Sequence, residues 1–539
     1  MGALNYADLK VLVIDDFDSF RLTVSKMLDE FGCGQVVTAV NGRRALKACE
    51  EGEFDVVLCD YNLGPGPNGQ QVLESLRVNK LMGRQSLFLL VSAESSKSIV
   101  LSAYDYEPDA YLTKPITGRG LKQRLDRLLR QRDEMMPVQQ SLDAGDIDGA
   151  IAMAIGCIAG GSRYTSAFQK LLGELFLETG RIAEAEDLYT KVLEVRPLDW
   201  ARVGMSKVKS ANGEMETANE WLSQIIDGNP FCMQAYDALA DNCQQQQNIE
   251  RVQEVLQAAV EVSPMSIVRQ ASLAEAASGN HDYKVASKAY SRTVRLGEHS
   301  CHDRLEHHLQ FSRVTASMLR DDPGANTDVA REGLRVLDQL SKRFELSSEA
   351  RYTAQLLESQ LHACRGDVRR AKDILDEVET NLPDQELSLE LQLDRVATYQ
   401  GLNNEAKAGE LLEALLDEYK DDEDSLRSID LWLEEPVSDF NTKLVARINN
   451  EGIGFYQNDQ FDKALNSFRR AARLFPNHLG VHLNLVQALV ADMKEFGVSD
   501  ESMDTCLTSL AKVERKIKPG HAQLDRYRQL QHMVRSLGQ

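Results

Sequence analysis

The chain has 539 residues, 43% hydrophobic and 27% charged, with 83 acidic against 61 basic side chains and a formal net charge of −22. That length exceeds what one core can organise and implies several domains or a repeat array, and the acidic balance argues against a broad nucleic-acid or anionic-membrane footprint, which needs clustered Lys and Arg. Nine cysteines without paired spacing fit reduced thiols in a cytoplasmic protein, and no run reaches the roughly 18 apolar residues of a bilayer span.

Up to about residue 130, short apolar runs alternate with amphipathic stretches. Strands are expected at "KVLVID" (10–15), "QVVTAV" (35–40), "DVVLCD" (55–60), "LFLLVSA" (87–93) and "AYLTKP" (110–115), with helices such as 19–31 and 69–79 between them. This alternation predicts an α/β, doubly wound, five-stranded parallel sheet with both faces covered by helices. The basic amphipathic stretch "GRGLKQRLDRLLRQR" (118–132) is expected to close the sheet and run on into the following segment.

The chemistry sits where the strands end. The first ends in "IDDFDSF", placing Asp15 and Asp16 at its carboxyl end, and the third ends on Asp60, followed by the glycine- and proline-rich loop "YNLGPGPNG". In open α/β sheets this edge is where ligands bind. Three carboxylates in one crevice repel unless a hard cation lies among them, and Mg²⁺ suits them. Ser92 and Lys114, at the ends of the fourth and fifth strands, add a hydroxyl and a positive charge.

On "VLVIDDFDSF", "DVVLCDYNL", "LLVSAE" and "AYLTKP", residues 8–130 resemble the receiver domain of a two-component response regulator, a flavodoxin-like fold. The resemblance implies that Asp60 is the phosphoacceptor, and that Asp15, Asp16, Asp60 and the backbone carbonyl of Asn62 hold Mg²⁺. It also implies that Lys114 pairs with the phosphoryl group, that Ser92 and Tyr111 form the switch, and that Lys114–Pro115 is cis. A histidine kinase or phosphotransfer protein is the implied phosphodonor, and the helix at 118–132 belongs to a face used for partner or homodimer contacts. One departure stands out. Nine residues separate Asp60 from Gly69 where the family usually has eight, which alters the shape of the loop that meets partners.

Beyond 131 the strand pattern gives way to a repeat. Ala150, Ala185, Ala218, Val252 and Ala286 head similar helical segments at spacings of 35, 33, 34 and 34, and Pro197, Pro230 and Pro264 keep the same beat. Ala371 with Pro383, and Ala464 with Pro476, resume it. A small residue where helices touch, and a proline after the second helix, predict stacked helix pairs in an all-α solenoid. The beat weakens near 300–350, and the acidic stretch 421–440 is expected to be an irregular connection between an array over 131–420 and a lobe at 441–539 ending in a capping helix. "QQQQN" at 244–248 falls at a turn.

The segment "VARINNEGIGFYQNDQFDKALNSFRRAARLFPNH" (445–478) resembles a tetratricopeptide repeat through Gly452, Phe455, Ala464, Phe468, Ala471 and Pro476, and 166–198 does so through Gly173, Gly180, Ala185, Tyr189 and Pro197. Such arrays are superhelical binding platforms, which implies an unidentified protein or peptide in the groove. Asn450 and Asn484, 34 apart, are candidates for hydrogen-bonding a peptide backbone.

"HSCHDRLEHH" (299–308) offers zinc-type ligand atoms in His299, Cys301, His302, His307 and His308. No second pair with finger spacing follows, and Asp, Glu and Arg interleave, so the run is read as an ordinary helix face. Together these features point to a phosphorylation-controlled interaction protein without a DNA-binding output and without a reaction of its own beyond phosphoryl transfer. The alternatives are a constitutive docking scaffold and an enzyme hidden in 300–440, where no nucleophile, base and oxyanion elements cluster.

Overall fold

A computed structural model describes residues 5–93, 106–321, 328–382 and 387–537. Glu94 of "LLVSAE", Pro383 and most of the loop at 318–328 lie outside the described residues. The N-terminal elements run β1 (Lys10–Ile14), α1 (Asp18–Phe31), β2 (Gln35–Ala39), α2 (Gly42–Glu51), β3 (Val56–Asp60), α3 (Gly69–Val78), β4 (Leu87–Ser92), β5 (Ala110–Thr113) and α4 (Gly118–Asp143). The five strands form one parallel sheet in the order β2-β1-β3-β4-β5.

Strand periodicity assigns the two faces. Val11, Val13, Val56, Leu58, Leu89 and Val91 pack with Val24 and Leu28 of α1 and with Leu121 and Leu125 of α4. Their neighbours in sequence, Leu12, Ile14, Val57, Cys59, Phe88 and Leu90, pack with Ala45 of α2 and with Val72, Leu73 and Leu76 of α3. Alternate residues facing opposite helical layers is why these strands read as unbroken apolar runs.

Helix α4 does not stop at the edge of this domain. Its first half contributes Leu121, Leu125, Leu128 and Leu129 to the sheet core, and its second half contributes Val138 to a different core with Ala150, Phe168, Ala185 and Tyr189. The boundary expected at 130/131 is therefore crossed by one 26-residue helix that belongs to both cores.

After α4 every described regular element is helical, and most helices adjacent in the chain pack on one another. The small residues that set the repeat are where they were expected: Ala150, Ala185, Ala218, Ala286, Ala371 and Ala464 are fully buried. Glycine plays the same part against aromatic rings. A Cβ on Gly173 would lie 2.6 Å from the Tyr189 ring, one on Gly204 2.3 Å from it, and one on Gly452 2.7 Å from the Phe468 ring. "QQQQN" is a turn, with Gln247 in the left-handed region between helices ending at Gln245 and starting at Ile249.

By contacts the chain divides into two units, residues 1–276 with 288–307, and residues 277–287 with 308–539. In the second unit, the closing helix Leu524–Leu537 packs on Leu479–Phe496 and Asp500–Lys516, sharing a core of Leu483, Val486, Leu489, Leu510, Val513, Tyr527, Leu530 and Val534.

The stretch at 421–440 is irregular only in part. It holds the helix Glu423–Ile429 and a 3₁₀ turn Asp430–Trp432, and the next helix begins at Asp439. The cause is Asp430, whose buried carboxylate accepts hydrogen bonds from Val437 N, Ser438 N, Ser438 Oγ and Asn441 Nδ2. An acidic composition concealed one carboxylate that organises the turn from inside.

The glycine–tyrosine contacts predict opposite outcomes for two chemically identical substitutions. Gly204→Ala forces a methyl into the Tyr189 ring and should lower stability by about 1–3 kcal/mol. Gly156→Ala, in a helix where nothing lies within 4 Å of the new Cβ, should raise it by about 0.5–1 kcal/mol. Urea denaturation of the two variants beside the wild type measures both.

Candidate functional site

The strand periodicity that builds the sheet also builds the site. Asp15 follows β1 in phase with Val11 and Val13, and Asp60 ends β3 in phase with Val56 and Leu58, so both carboxylates leave adjacent strands on the α1 side. Both are buried, and Asp16 is exposed. Carboxylate oxygens of Asp15, Asp16 and Asp60 all lie within 4.8 Å of one another.

Lys114 enters this group from the end of β5. Its backbone N–H donates to the Ser92 carbonyl at 2.8 Å, extending the β4–β5 pairing by one residue. Its Nζ then donates to Asp15 Oδ2 at 2.7 Å and pairs with Asp60 Oδ2 at 3.1 Å. The ammonium also lies 4.2 Å from the centroid of the Phe20 ring, on α1. Lys114–Pro115 is cis.

The charges explain the titration. Burial raises the Asp60 carboxyl above its ordinary value, against the opposing pull of Lys114, and Asp15 adds to the rise. Burial alone would lower the Lys114 ammonium, but hydrogen bonds to Asp15 and Asp60 outweigh it and leave the pKa raised. Three carboxylates against one ammonium leave two negative charges, and the donors are all oxygens. That set fits a hard divalent cation.

The loop after Asp60 is shaped to bring the chain back into a helix at once. Gly64 and Gly66 take positive φ angles of 69° and 110°. Gly69 N donates to the Tyr61 carbonyl at 2.8 Å, and a Cβ at Gly69 would lie 2.1 Å from the Asp60 carbonyl oxygen, so only glycine fits there. Asn68 and Gln71 then form a capping box at the start of α3. Asn62 is exposed, two residues beyond Asp60.

Ser92 is buried and in phase with Phe88 and Leu90, and Tyr111, opposite Leu90 in the register, packs on the same cluster. The two lie on the α3 side of the sheet.

Two residues that the sequence did not flag, Gln71 and Glu74, occupy the outward face of α3, where polar side chains would normally meet water. Both are buried here, by the turn that follows the helix Tyr283–Gly297. Gln71 Nε2 donates to the carbonyls of Leu296 at 3.2 Å and Glu298 at 2.9 Å. Glu74 Oε1 accepts from Ser300 Oγ and from Cys301 N at 3.1 Å, and the His302 ring stacks on Tyr106. The histidine-rich run is thus not a helix face up to Asp303: His299 has φ 71°, and helix resumes only at Leu305.

Among the candidates in the array, Asn484 is already engaged. Its Nδ2 donates to Asn449 Oδ1 at 2.6 Å, and its Oδ1 accepts from Arg526. It lines a cavity of about 270 Å³ with Tyr456, Phe468 and Gln487. Asn450 is exposed, and the residue facing Asn484 is its neighbour, Asn449. The helix from Asp439 to Gln457 leaves Asn450 exposed to solvent.

Residues 11–126 match the response regulator receiver domain family. The N-terminal domain is a receiver. Chemotaxis protein CheY-3 of Vibrio cholerae serotype O1 is 29% identical over 131 residues, 24% of this chain and 99% of that protein. Chemotaxis protein CheY of Pseudomonas aeruginosa is 27% identical over 123 residues, 23% of this chain and 98% of that protein. A solved structure of Vibrio cholerae CheY4 is 29% identical, covering 22% of this chain and 98% of its own, with a TM-score of 0.21. These matches concern the receiver alone. No described helix is long and apolar enough to cross a membrane.

The raised Asp60 pKa has a measurable consequence. The folded receiver holds this proton more tightly than the unfolded chain does, so ionised Asp60 costs stability above the raised pKa. The cost fades as pH falls through that value toward the ordinary carboxylate range. In the absence of divalent ions, Asp60→Asn should be more stable than wild type at pH 7, on the order of 1 kcal/mol. The difference should shrink on acidification, as read by denaturant midpoints across pH.

Proposed function

We propose that the chain is a two-component response regulator in which phosphorylation of Asp60 controls the binding of a protein partner by a tetratricopeptide-type array. The observation that carries this reading is Lys114 bridging Asp15 and Asp60 at the carboxyl edge of the sheet. A structural ion pair needs one carboxylate. Here one ammonium serves two buried ones beside a third, which suits a site awaiting further positive charge and a phosphoryl group.

In this reading a carboxylate oxygen of Asp60 attacks the phosphorus of the donor. An O–P bond forms as the bond to the leaving group breaks, a P–N bond where the donor is a phosphohistidine of a histidine kinase or phosphotransfer protein. Lys114 holds Asp60 ionised beforehand and balances charge on the transferring oxygens. Asp15, Asp16, Asp60 and the backbone carbonyl of Asn62 would hold Mg²⁺, which would supply the remaining positive charge at the phosphoryl oxygens.

Ser92 and Tyr111 are the switch pair. They stand on the sheet face that also carries α3, and α3 is the receiver helix gripped by the array turn at 296–302. A change of state at Asp60 thereby has a physical route to the helical repeats. The tetratricopeptide reading of those repeats is supported by the period near 34, the buried small residues at its fixed offset, and the glycine–aromatic contacts at Gly173, Gly204 and Gly452. An array of this kind binds protein segments, and the function is read as recognition rather than catalysis.

Two measurements test it. Acetyl phosphate with Mg²⁺ should add one phosphoryl group to the wild-type chain and none to Asp60→Ala, by intact-mass spectrometry; equal labelling of both sinks Asp60 as the acceptor. Tagged wild type and Asp60→Ala, recovered from native cells with Mg²⁺ present, should bring down different partners. Equal recovery of the same partner would mean a docking scaffold rather than a switch.

A further inference from the structure

We propose that Glu74 of the receiver, together with Cys301 and His302 of the array turn, forms a zinc-class metal site that ties α3 to the repeats. The sequence held one half of this site in "HSCHDRLEHH" and gave no second half. The fold supplies it from α3, 227 residues earlier in the chain.

Ligand atoms of Glu74, Cys301 and His302 all lie within 4.8 Å of one another. Cys301 Sγ is 3.2 Å and His302 Nε2 3.9 Å from Glu74 Oε1. An ion about 2.0–2.3 Å from each of the three atoms, in tetrahedral geometry, would space them by about 3.3–3.6 Å. The two distances to Glu74 Oε1 are within a few tenths of an ångström of that, the three atoms lie within 4.8 Å of one another, and Ser300 Oγ or a water could take the fourth position.

Two atoms in the cluster are left without hydrogen-bond partners. Glu74 is fully buried, yet its Oε2 accepts nothing, and the buried Nε2 of His302 has no hydrogen bond. A buried carboxylate oxygen and a buried imidazole nitrogen left unpaired each cost free energy. A cation bound at the cluster uses the imidazole lone pair and compensates the carboxylate.

The charges also close. Glu74 and a Cys301 thiolate contribute two negative charges and a neutral His302 none, which cancels a divalent ion. Without an ion, the Cys301 thiol donates to Oε1 at 3.2 Å. Metal binding replaces that proton with the ion. Thiolate and imidazole select zinc over the hard cations that suit the all-oxygen group at Asp60.

The test uses the full chain, purified without chelators. The wild type should carry about one zinc per chain, measured by elemental mass spectrometry. Substituting Co²⁺ should give a thiolate-to-cobalt charge-transfer band, which ion bound at Asp15, Asp16 and Asp60 cannot produce. Cys301→Ser should abolish the band and weaken zinc binding by at least about tenfold, and His302→Ala should weaken it likewise. Cys157→Ser, at a half-buried thiol elsewhere in the array, should leave both unchanged. Absence of zinc and of the band in the wild type overturns the proposal, as does a band that survives in Cys301→Ser. Phosphoryl labelling of Asp60 is read separately, so failure here leaves the receiver reading untouched.

Discussion

The carboxyl edge of the sheet depends on one ammonium shared by two buried carboxylates. Lys114 meets Asp15 at 2.7 Å and Asp60 at 3.1 Å, with Asp16 close by. Removing one partner from a buried pair leaves an uncompensated charge, at a cost of about 3–5 kcal/mol. Sharing one cation between two acids leaves part of that imbalance in place permanently. The sheet tolerates it because strand pairing on both sides fixes the positions of the two carboxylates. Asp15 is further held by accepting from Phe17 N at 2.8 Å, and its own carbonyl accepts from Arg21.

How buried carboxylates are satisfied separates their roles. Asp430 takes donors from Val437, Ser438 and Asn441 on its two oxygens, and its part is to close a turn. Asp60 shares one ammonium with Asp15, takes one backbone N–H from Tyr61 and still has a raised pKa, the pattern of a group kept ready for chemistry. Glu74 lies between these cases. One oxygen is crowded with donors from Ser300 and Cys301, and the other has none. Burial alone would not distinguish the three. The count and kind of donors does.

The same distinction explains what could be read from sequence. Asp15, Asp60 and Lys114 were legible because each interrupts an apolar strand at its end, where a polar residue needs a reason. The sheet was legible because its strands bury both faces. The repeat was legible because a helix contact tolerates only a small residue, and Ala150, Ala185, Ala218 and Ala464 recur at that contact. Gln71 and Glu74 were not legible. On an amphipathic helix they look like solvent-facing residues, and what covers them lies 225 to 227 residues further on. Asp430 was lost in an acidic run whose other members are mostly surface charges. The passage of α4 through residue 130 was partly visible in its basic helix, but only packing shows that Val138 serves a second core.

Gln71 joins the loop after Asp60 to the turn at 296–298. Its Oε1 accepts from Asn68 N at 3.0 Å, closing the end of the loop that begins at Asp60, and its Nε2 holds two carbonyls of the array turn. The loop has little slack, since Gly69 already sits against the Asp60 carbonyl as closely as a residue without a Cβ can. A displacement of the loop therefore acts on Asn68 and Gly69, and through the capping box on a side chain whose other end is bonded to the repeats. Helix α4 provides the opposite constraint, a continuous rod shared by both cores that resists their separation. The α3 contact begins at the end of the loop that follows Asp60.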